Sequence, residues 1–188
     1  SARDALALSL NTPAVRLLRD IGPENLIGVL RACGLRRLNR TAADTGLALA
    51  LGGVETTLLE LTGAYAGLAS NGRFRAPKTT QTIDDPPSDY GQPFSVGSIQ
   101  LLRRMLSAAP LPGGSGEPVC WKTGTSSGAR DAWCVAFNPE LTIGVWVGNK
   151  SGAPAPGSSG ATAAAPIVAD FLSAYYQRRP RPTFPETT

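Results

Sequence analysis

The sequence contains no histidine. This absence excludes Ser-His-Asp and Cys-His catalytic triads and most zinc sites, which use imidazole as a base or as a ligand. Any serine or amide chemistry must therefore use a lysine or a carboxylate as its base. The three cysteines, Cys33, Cys120 and Cys134, are odd in number and fit no metal-binding spacing. We predict that they are buried small apolar residues, and we expect no metal or cofactor.

Long apolar runs and concentrated charge are also missing. No stretch approaches the roughly 18 uninterrupted apolar residues that a membrane span needs, and we expect no signal peptide within these residues. We therefore expect any membrane anchor to lie upstream of this sequence. The net charge of +4 comes from 18 Lys and Arg against 14 Asp and Glu and is thinly spread. Because there is no basic stripe with interleaved aromatic residues, no nucleic-acid partner is expected.

Helical periodicity dominates the first 108 residues. Helices are predicted over residues 2–8, 11–20, 23–33, 57–70 and 94–108. Asn11 or Thr12 is expected to cap the second helix, and Thr56 or Thr57 to cap the fourth with Glu60 in a capping box. The remaining stretches are predicted as a loop over 35–54, a short extended pair over 73–83 and a polar loop over 84–93.

The period then changes to that of β-strands. Val119–Thr125, Asp131–Phe137 and Leu141–Gly148 are predicted strands, and their short connections indicate an antiparallel meander. Cys120 and Cys134 are expected to lie opposite or diagonal on neighbouring strands, as free thiols. After a loop over 150–160, a closing helix over 161–177 is predicted to face inward with Ile167, Phe171, Leu172 and Tyr175. This order of elements predicts an α+β fold with helices packed on an antiparallel sheet.

The strongest local motif is Lys122-Thr123-Gly124-Thr125, on the first predicted strand of the meander. A lysine here would place an ammonium beside a pocket, and threonine hydroxyls at a strand edge can bind a carboxylate. Gly124 would let a substrate approach the backbone because it has no Cβ. The alternative is an exposed lysine at the end of an ordinary strand.

A weaker motif, Ser9-Leu10-Asn11, lies between the first two predicted helices. Ser-x-Asn is common by chance, and helix capping by Asn11 or Thr12 would explain it without any function. Its position well upstream of Lys122 gives it more weight, because the order and separation of the two motifs are those of a known group of enzymes.

Together the motifs resemble the serine acyltransferases that include penicillin-binding proteins and serine β-lactamases, which use Ser-x-x-Lys, Ser-x-Asn and Lys-Thr-Gly in that order. The resemblance covers residues 1–178. Segments similar to class A penicillin-binding proteins are 5–15, 51–65, 69–72, 121–133 and 142–149. The form of residues 130–133, Arg-Asp-Ala-Trp, is most like the penicillin-binding protein 1C branch. The resemblance implies the C-terminal part of the penicillin-binding transpeptidase and serine β-lactamase-like fold.

The sequence departs from the family pattern because it has no Ser-x-x-Lys motif. The residues three positions before its three lysines are arginine, valine and valine rather than serine. We therefore expect residues 1–178 to be a partial transpeptidase domain whose nucleophile lies on an upstream segment. Residues 179–188 are expected to be a Pro-rich linker or tail, and this chain alone is expected to be inactive.

The resemblance also implies a role for each motif residue. Ser9 would relay a proton to the leaving amine, and the side-chain amide of Asn11 would hydrogen-bond the peptide stem. Lys122 would support Ser9 electrostatically and attract the terminal carboxylate of the substrate. The hydroxyls of Thr123 and Thr125 would bind that carboxylate, and the N–H of Thr125 would form half of an oxyanion hole.

The activity implied is that of a D,D-transpeptidase that cross-links peptidoglycan stem peptides through an acyl-serine and is acylated by β-lactam antibiotics. The resemblance further implies an upstream membrane anchor and glycosyltransferase domain, action at the periplasmic or extracellular face of the membrane, and cell-wall synthesis proteins as partners. Two alternatives stay open. One is a D,D-carboxypeptidase or β-lactamase-like hydrolase, and the other is a non-catalytic binding or scaffold module of the same fold.

Overall fold

The structure is a computed structural model that describes residues 1–80, 88–114 and 119–185. These residues form two compact units, Ser1–Met105 and Leu106–Thr188. Helices precede a three-stranded antiparallel sheet and a closing helix, which confirms the predicted α+β class. Within the described ranges, no helix combines the length and the apolar character that crossing a membrane requires.

The first unit is mainly helical. Its elements are helices α1 (Ala2–Ala7), α2 (Asn11–Ile21), α3 (Pro23–Ala32), α4 (Ala42–Thr45) and α5 (Leu58–Ala69), the strands β1 (Phe74–Arg75) and β2 (Asp89–Gly91), and all but the last residue of helix α6 (Val96–Leu106). Its core includes Leu18, Ile27, Leu49 and Phe74, each at most 5% exposed. Burial of these side chains is the main stabilising term of the unit.

The predicted loop over 35–54 is wrong, since α4 and a 3₁₀-helix (Gly46–Leu51) lie within it. Thr41 starts α4 through a capping box with Asp44. Its hydroxyl accepts from the Asp44 N–H at 3.2 Å, and the Asp44 carboxylate accepts from the Thr41 N–H at 2.9 Å. Two orphan donors are thereby satisfied, which stabilises a helix too short to show a periodic pattern.

Two other local predictions need correction. Thr57 does cap α5, but the Glu60 carboxylate accepts from the hydroxyl of Thr56 instead of closing a capping box. Among the described residues of the expected extended pair, 73–80, the one strand is β1, and it pairs with β2 at 89–91, where a loop was predicted. Residues 81–87, which belong to both predictions, lie outside the described residues.

The second unit is built on a sheet of strands β3 (Cys120–Thr125), β4 (Asp131–Phe137) and β5 (Thr142–Gly148), in the order β3-β4-β5. These bounds lie within one residue of the three predicted strands, and both pairings are antiparallel as expected. A π-helical turn (Gly160–Ala164) leads into the closing helix α7 (Ala165–Tyr175), which packs on one face of the sheet.

The inward face of α7 differs from the prediction. Ile167 and Phe171 were expected to face the sheet, but they are 49% and 48% exposed, whereas Leu172 is buried as predicted. The stripe that packs on the sheet consists of Ala165, Val168, Ala169, Leu172 and Tyr176. Small alanines let the helix axis approach the sheet closely, and the wider π-helical turn shifts which residues face it.

The register of the β3–β4 hairpin separates the two strand cysteines. Cys120 lies opposite Phe137 and Cys134 opposite Thr123, so the expectation that the cysteines are opposite or diagonal is wrong. An offset of three residues corresponds to about 10 Å, too far for a disulfide. None of the three cysteines forms a disulfide and all three are buried, which confirms their interpretation as small apolar residues.

Part of the Pro-rich tail packs on the second unit. The Arg179 guanidinium lies 4.5 Å from the centre of the Tyr175 ring, and Phe184 meets Phe137 edge to face at 6.0 Å. Residues 186–188 of the predicted linker lie outside the described residues.

Candidate active site

The Lys122-Thr123-Gly124-Thr125 motif forms the last four residues of β3. Strand β3 is an edge strand, and its outer edge pairs with no other strand among the described residues. Opposite residues of paired strands share a face. Thr123 and Thr125 lie opposite Cys134 and Ala132 and share the α7 face, whereas Lys122 points to the other face. The motif therefore places a cation and two hydroxyls along the edge of the sheet.

Lys122 lies in the middle of its strand and is half-buried, which does not fit an exposed lysine at a strand end. Its Nζ donates a hydrogen bond to the Thr123 carbonyl at 2.9 Å. Burial lowers the pKa of Lys122 below its usual 10.5, because a low-dielectric environment disfavours the ammonium. An ammonium held in this way interacts more strongly with an anionic ligand than one in water.

The Thr125 side chain is exposed and oriented by a distant residue. Its hydroxyl oxygen accepts a hydrogen bond from the backbone N–H of Gly160 at 3.0 Å. A hydroxyl carries one proton and two lone pairs. Accepting from Gly160 occupies one lone pair and leaves the proton available for an acceptor such as a carboxylate.

A pair of tryptophans supports the motif from the neighbouring strands. Trp133 lies opposite both Gly124 on β3 and Trp146 on β5, and the two indole rings are 6.4 Å apart. The Trp146 Nε1 donates to the Asp131 carboxylate at 2.9 Å. This arrangement ties the beginning of β4 to the end of β5 beside Gly124, which stiffens the edge on which the motif lies.

Ser9 occupies the turn between α1 and α2 in a left-handed conformation, with φ +53°. The N–H of Ser9 donates to Leu6 O at 3.1 Å and the N–H of Leu10 to Ala5 O at 2.9 Å, the two bonds of a Schellman motif. Glycine is the usual residue at this position, and Gly34 fills it after α3. A serine there costs about 1–2 kcal/mol, and such strain concentrates at functional sites.

Asn11 is the first residue of α2, and its side chain is exposed. The N-cap is Leu10, and no side-chain hydrogen bond caps this helix. The prediction that Asn11 or Thr12 caps α2 is therefore wrong. With the capping explanation removed, the Asn11 amide is left facing solvent beside Ser9, where it can serve a ligand.

The structure brings together the residues of each motif within its own unit. Ser9 and Asn11 are neighbours in the first unit, and residues 122–125 are neighbours in the second. In the described part of the chain, no group of three or more His, Cys, Asp or Glu side chains is placed to hold a metal ion.

Comparison with known proteins decides the family. The family model described as "Penicillin binding protein transpeptidase domain" matches residues 1–173 of the chain. The chain belongs to the penicillin-binding protein transpeptidase family. This membership confirms the resemblance seen in the motifs and establishes the class as that of serine acyltransferases.

Individual relatives agree with this assignment. The chain is 37% identical to penicillin-binding protein 1C of Escherichia coli over 173 residues, 89% of the chain and 22% of that protein. It is 32% identical to penicillin-binding protein 1A of Aquifex aeolicus, covering 97% of the chain and 26% of that protein. The chain thus spans about a quarter of the length of these curated relatives.

Solved structures of the family share the fold. Penicillin-binding protein 1A of Haemophilus influenzae superposes with a TM-score of 0.84 and 20% identity, over 97% of this chain and 35% of that one. Penicillin-binding protein A of Mycobacterium tuberculosis, in an imipenem acyl-enzyme complex, gives a TM-score of 0.73 at 24% identity, over 93% of this chain and 47% of that one. These similarities confirm the predicted transpeptidase fold.

Sequence reasoning missed Gly160 as a neighbour of the transpeptidase motif, because the contact joins residues 35 positions apart. Residues 150–160 were interpreted only as a loop. A signal was nevertheless present, since Ser159 and Thr162 form a capping box. Ser-x-x-Thr before an alanine-rich segment marks a helix start, and helix starts carry unpaired N–H groups.

Proposed function

We propose that the chain is the C-terminal part of a D,D-transpeptidase domain that cross-links peptidoglycan stem peptides through an acyl-serine intermediate. The observation that carries this proposal is the Lys-Thr-Gly-Thr motif on an open sheet edge, in a chain of this family. Residues 1–178 belong to the domain and 179–188 to a linker or tail.

In this proposal the substrate peptide binds along β3 as an added strand. An edge strand offers its N–H and C=O groups to an extended peptide, and side chains on either face supply specificity. The hydroxyls of Thr123 and Thr125 bind the terminal carboxylate, and the Lys122 ammonium attracts it. Gly124 allows close approach, and the N–H of Thr125 stabilises the oxyanion of the tetrahedral intermediate. β-Lactam antibiotics occupy the same edge.

The Ser-x-Asn residues act on the leaving group and on the peptide stem. We assign Ser9 the relay of a proton to the leaving amine and Asn11 a hydrogen bond to the stem. Two features support these roles: the left-handed backbone of Ser9, and the exposed amide of Asn11 at the start of α2, which has no side-chain cap. Left-handed strain of this kind is common at functional sites.

The nucleophile in this proposal is the serine of a Ser-x-x-Lys motif outside residues 1–188, because none occurs within them. Its lysine acts as the base, and its backbone N–H completes the oxyanion hole. No cofactor or metal takes part. By analogy with the class A relatives, the whole protein carries a membrane anchor and a glycosyltransferase domain and acts at the periplasmic or extracellular face of the membrane.

Labelling with a fluorescent penicillin, read out by intact mass, tests the proposal. The protein that carries this chain together with a Ser-x-x-Lys segment should form a one-to-one adduct on that serine, and its Ser→Ala variant should form none. The 188-residue chain alone should form none, since acylation needs an activated serine beside a base. A stoichiometric adduct on any serine within residues 1–188 would refute the placement of the nucleophile.

The fate of the acyl-enzyme separates the proposed activity from its alternatives. With stem peptides as substrate, the proposed transpeptidase forms cross-linked dimers when an acceptor amine is present. A carboxypeptidase or β-lactamase-like enzyme releases only hydrolysed product, and a scaffold module releases neither. Mass spectrometry of the products distinguishes the three outcomes.

A further inference from the structure

Gly160 sits against the transpeptidase motif in a position that no other residue can occupy without a shift. A Cβ at residue 160 would lie 2.4 Å from Trp133 O, 2.6 Å from Gly124 O and 2.9 Å from Thr123 Cβ. Two of these three atoms are backbone, so they cannot rotate away. Glycine alone therefore allows the start of the π-helical turn to reach the α7 face of the sheet.

The same turn is held rigidly by its own cap. The Ser159 hydroxyl accepts from the Thr162 N–H at 3.1 Å, and the Ser159 N–H donates to the Thr162 hydroxyl at 3.0 Å. The N–H of Gly160 belongs to the first turn, where backbone donors have no partner inside the helix. This donor is aimed at the Thr125 hydroxyl, 3.0 Å away.

We propose that Gly160 is a positioning residue for the transpeptidase reaction, whose backbone N–H makes the Thr125 hydroxyl a donor to the carboxylate of the ligand. This inference rests on the proposed function. The N–H holds the hydroxyl oxygen in one rotamer and leaves its proton for the ligand. A hydroxyl that accepts one hydrogen bond also donates a stronger one, because aligned bonds polarise each other. Thr125 therefore favours an anionic group at that position over a neutral one.

A comparison of benzylpenicillin with its methyl ester tests the inference, in the longer protein that carries this chain and a Ser-x-x-Lys segment. The wild type should be acylated faster by the acid than by the ester. Gly160→Ala should lower this acid-to-ester ratio about tenfold, the scale of one hydrogen bond to a charged acceptor. Thr125→Val should lower it similarly, whereas Thr125→Ser, which keeps the hydroxyl, should retain most of it.

The double variant distinguishes positioning from a merely structural role. If Gly160 acts through Thr125, Gly160→Ala combined with Thr125→Val lowers the ratio no further than Thr125→Val alone. Additive losses, or acid and ester rates that fall in parallel, would overturn the inference. A wild type that neither reagent acylates would refute the proposed function, and the inference with it.

A gentler variant keeps the test decisive if Gly160→Ala does not fold. Ser159→Ala removes the cap that aims the Gly160 N–H and should lower the acid-to-ester ratio about threefold, a part of the hydrogen bond's full effect. Thr41→Ala is the matched control, because it removes a capping box of the same kind in the first unit. It should leave the ratio unchanged. An unchanged ratio in Ser159→Ala as well would count against Gly160.

Discussion

Replacing Ser9 by glycine should give a more stable fold than replacing it by alanine, and both replacements should slow the reaction. The left-handed backbone at φ +53° costs a residue with a Cβ about 1–2 kcal/mol, which glycine does not incur. Glycine also lowers the stability by about 0.4–1 kcal/mol, because the unfolded chain has more conformational entropy with glycine than with alanine. The expected net difference between Ser9→Gly and Ser9→Ala is about 0.5–1 kcal/mol in favour of glycine. Comparing these two variants cancels whatever the hydroxyl contributes, because both lack it.

The assay has two readouts on the same proteins. Urea unfolding gives the free energy of unfolding of each variant, and labelled penicillin gives the rate of acylation. Ala129→Gly is the matched stability control, since Ala129 has φ +52° and no polar side chain. Its free energy of unfolding should rise by about 0.5–1 kcal/mol, because glycine relieves the same left-handed strain.

The acylation rate should not follow the stability of these variants. Ser9→Gly and Ser9→Ala should both lower the rate of acylation about 10²-fold or more, the scale for removing one preorganised polar group. A Ser9→Gly protein that is less stable than Ser9→Ala would refute the strain argument. A Ser9→Gly protein with normal turnover would show that the strained serine has no catalytic role.

Three further predictions follow from single contacts. Lys122→Ala should slow acylation about 10²-fold. The wild-type acylation rate should fall as the pH rises through the pKa of Lys122, which lies below 10.5, and Lys122→Arg should not show this fall. Stopped-flow acylation from pH 7 upward measures the two effects. Gly67→Ala should destabilise the protein by about 1–3 kcal/mol despite its helix propensity, because the Cβ would lie 2.2 Å from buried Phe74. Its control Gly28→Ala, with open space around the Cβ, should gain about 0.5–1 kcal/mol in urea unfolding. Thiol titration should find three free thiols after denaturation and slow reaction before it, since burial raises the pKa of Cys134 to about 12.

The strands could be predicted from the sequence because their signal is local. Each strand of the meander is rich in β-branched and aromatic residues and is bounded by a short turn. The register could not be predicted in the same way, since it depends on the backbone of the turn. The Ala129 N–H donates to Ser126 O at 3.1 Å, and Gly128 and Ala129 have positive φ, so the tight turn spans residues 126–129. The position of the turn sets every cross-strand pairing of the hairpin, including the partners of the two strand cysteines.

The candidate site could be found from its motifs, but its supporting contacts could not. In the proposed function Lys122 and Ser9 have roles that restrict residue type and order, so their pattern is visible in one sequence. The contact of Gly160 with Thr125 depends on how closely the π-helical turn packs on the sheet. The same packing decides that Phe171 faces outward. Tertiary packing of this kind leaves little trace in local periodicity.

The ends of other helices in this chain can be compared with the Ser-x-Asn motif. Where other helices in the first unit end in a left-handed residue, Gly34 or Asn71 fills the position, and both residue types tolerate it. Where α4 and α5 begin, Thr41 and Thr57 cap them with a side-chain oxygen.

At the junction of α1 and α2 both rules are broken within three residues. A serine takes the glycine position, and α2 begins after Leu10 with no side-chain cap, although a serine and an asparagine flank that leucine. Either polar residue, moved by one position, would suit the local structure better. Each rule has exceptions elsewhere, since α3 and α7 begin without a side-chain cap and Ala129 has φ +52°, but at this junction the two departures lie within three residues of each other. The coincidence of the two departures supports the roles proposed for Ser9 and Asn11.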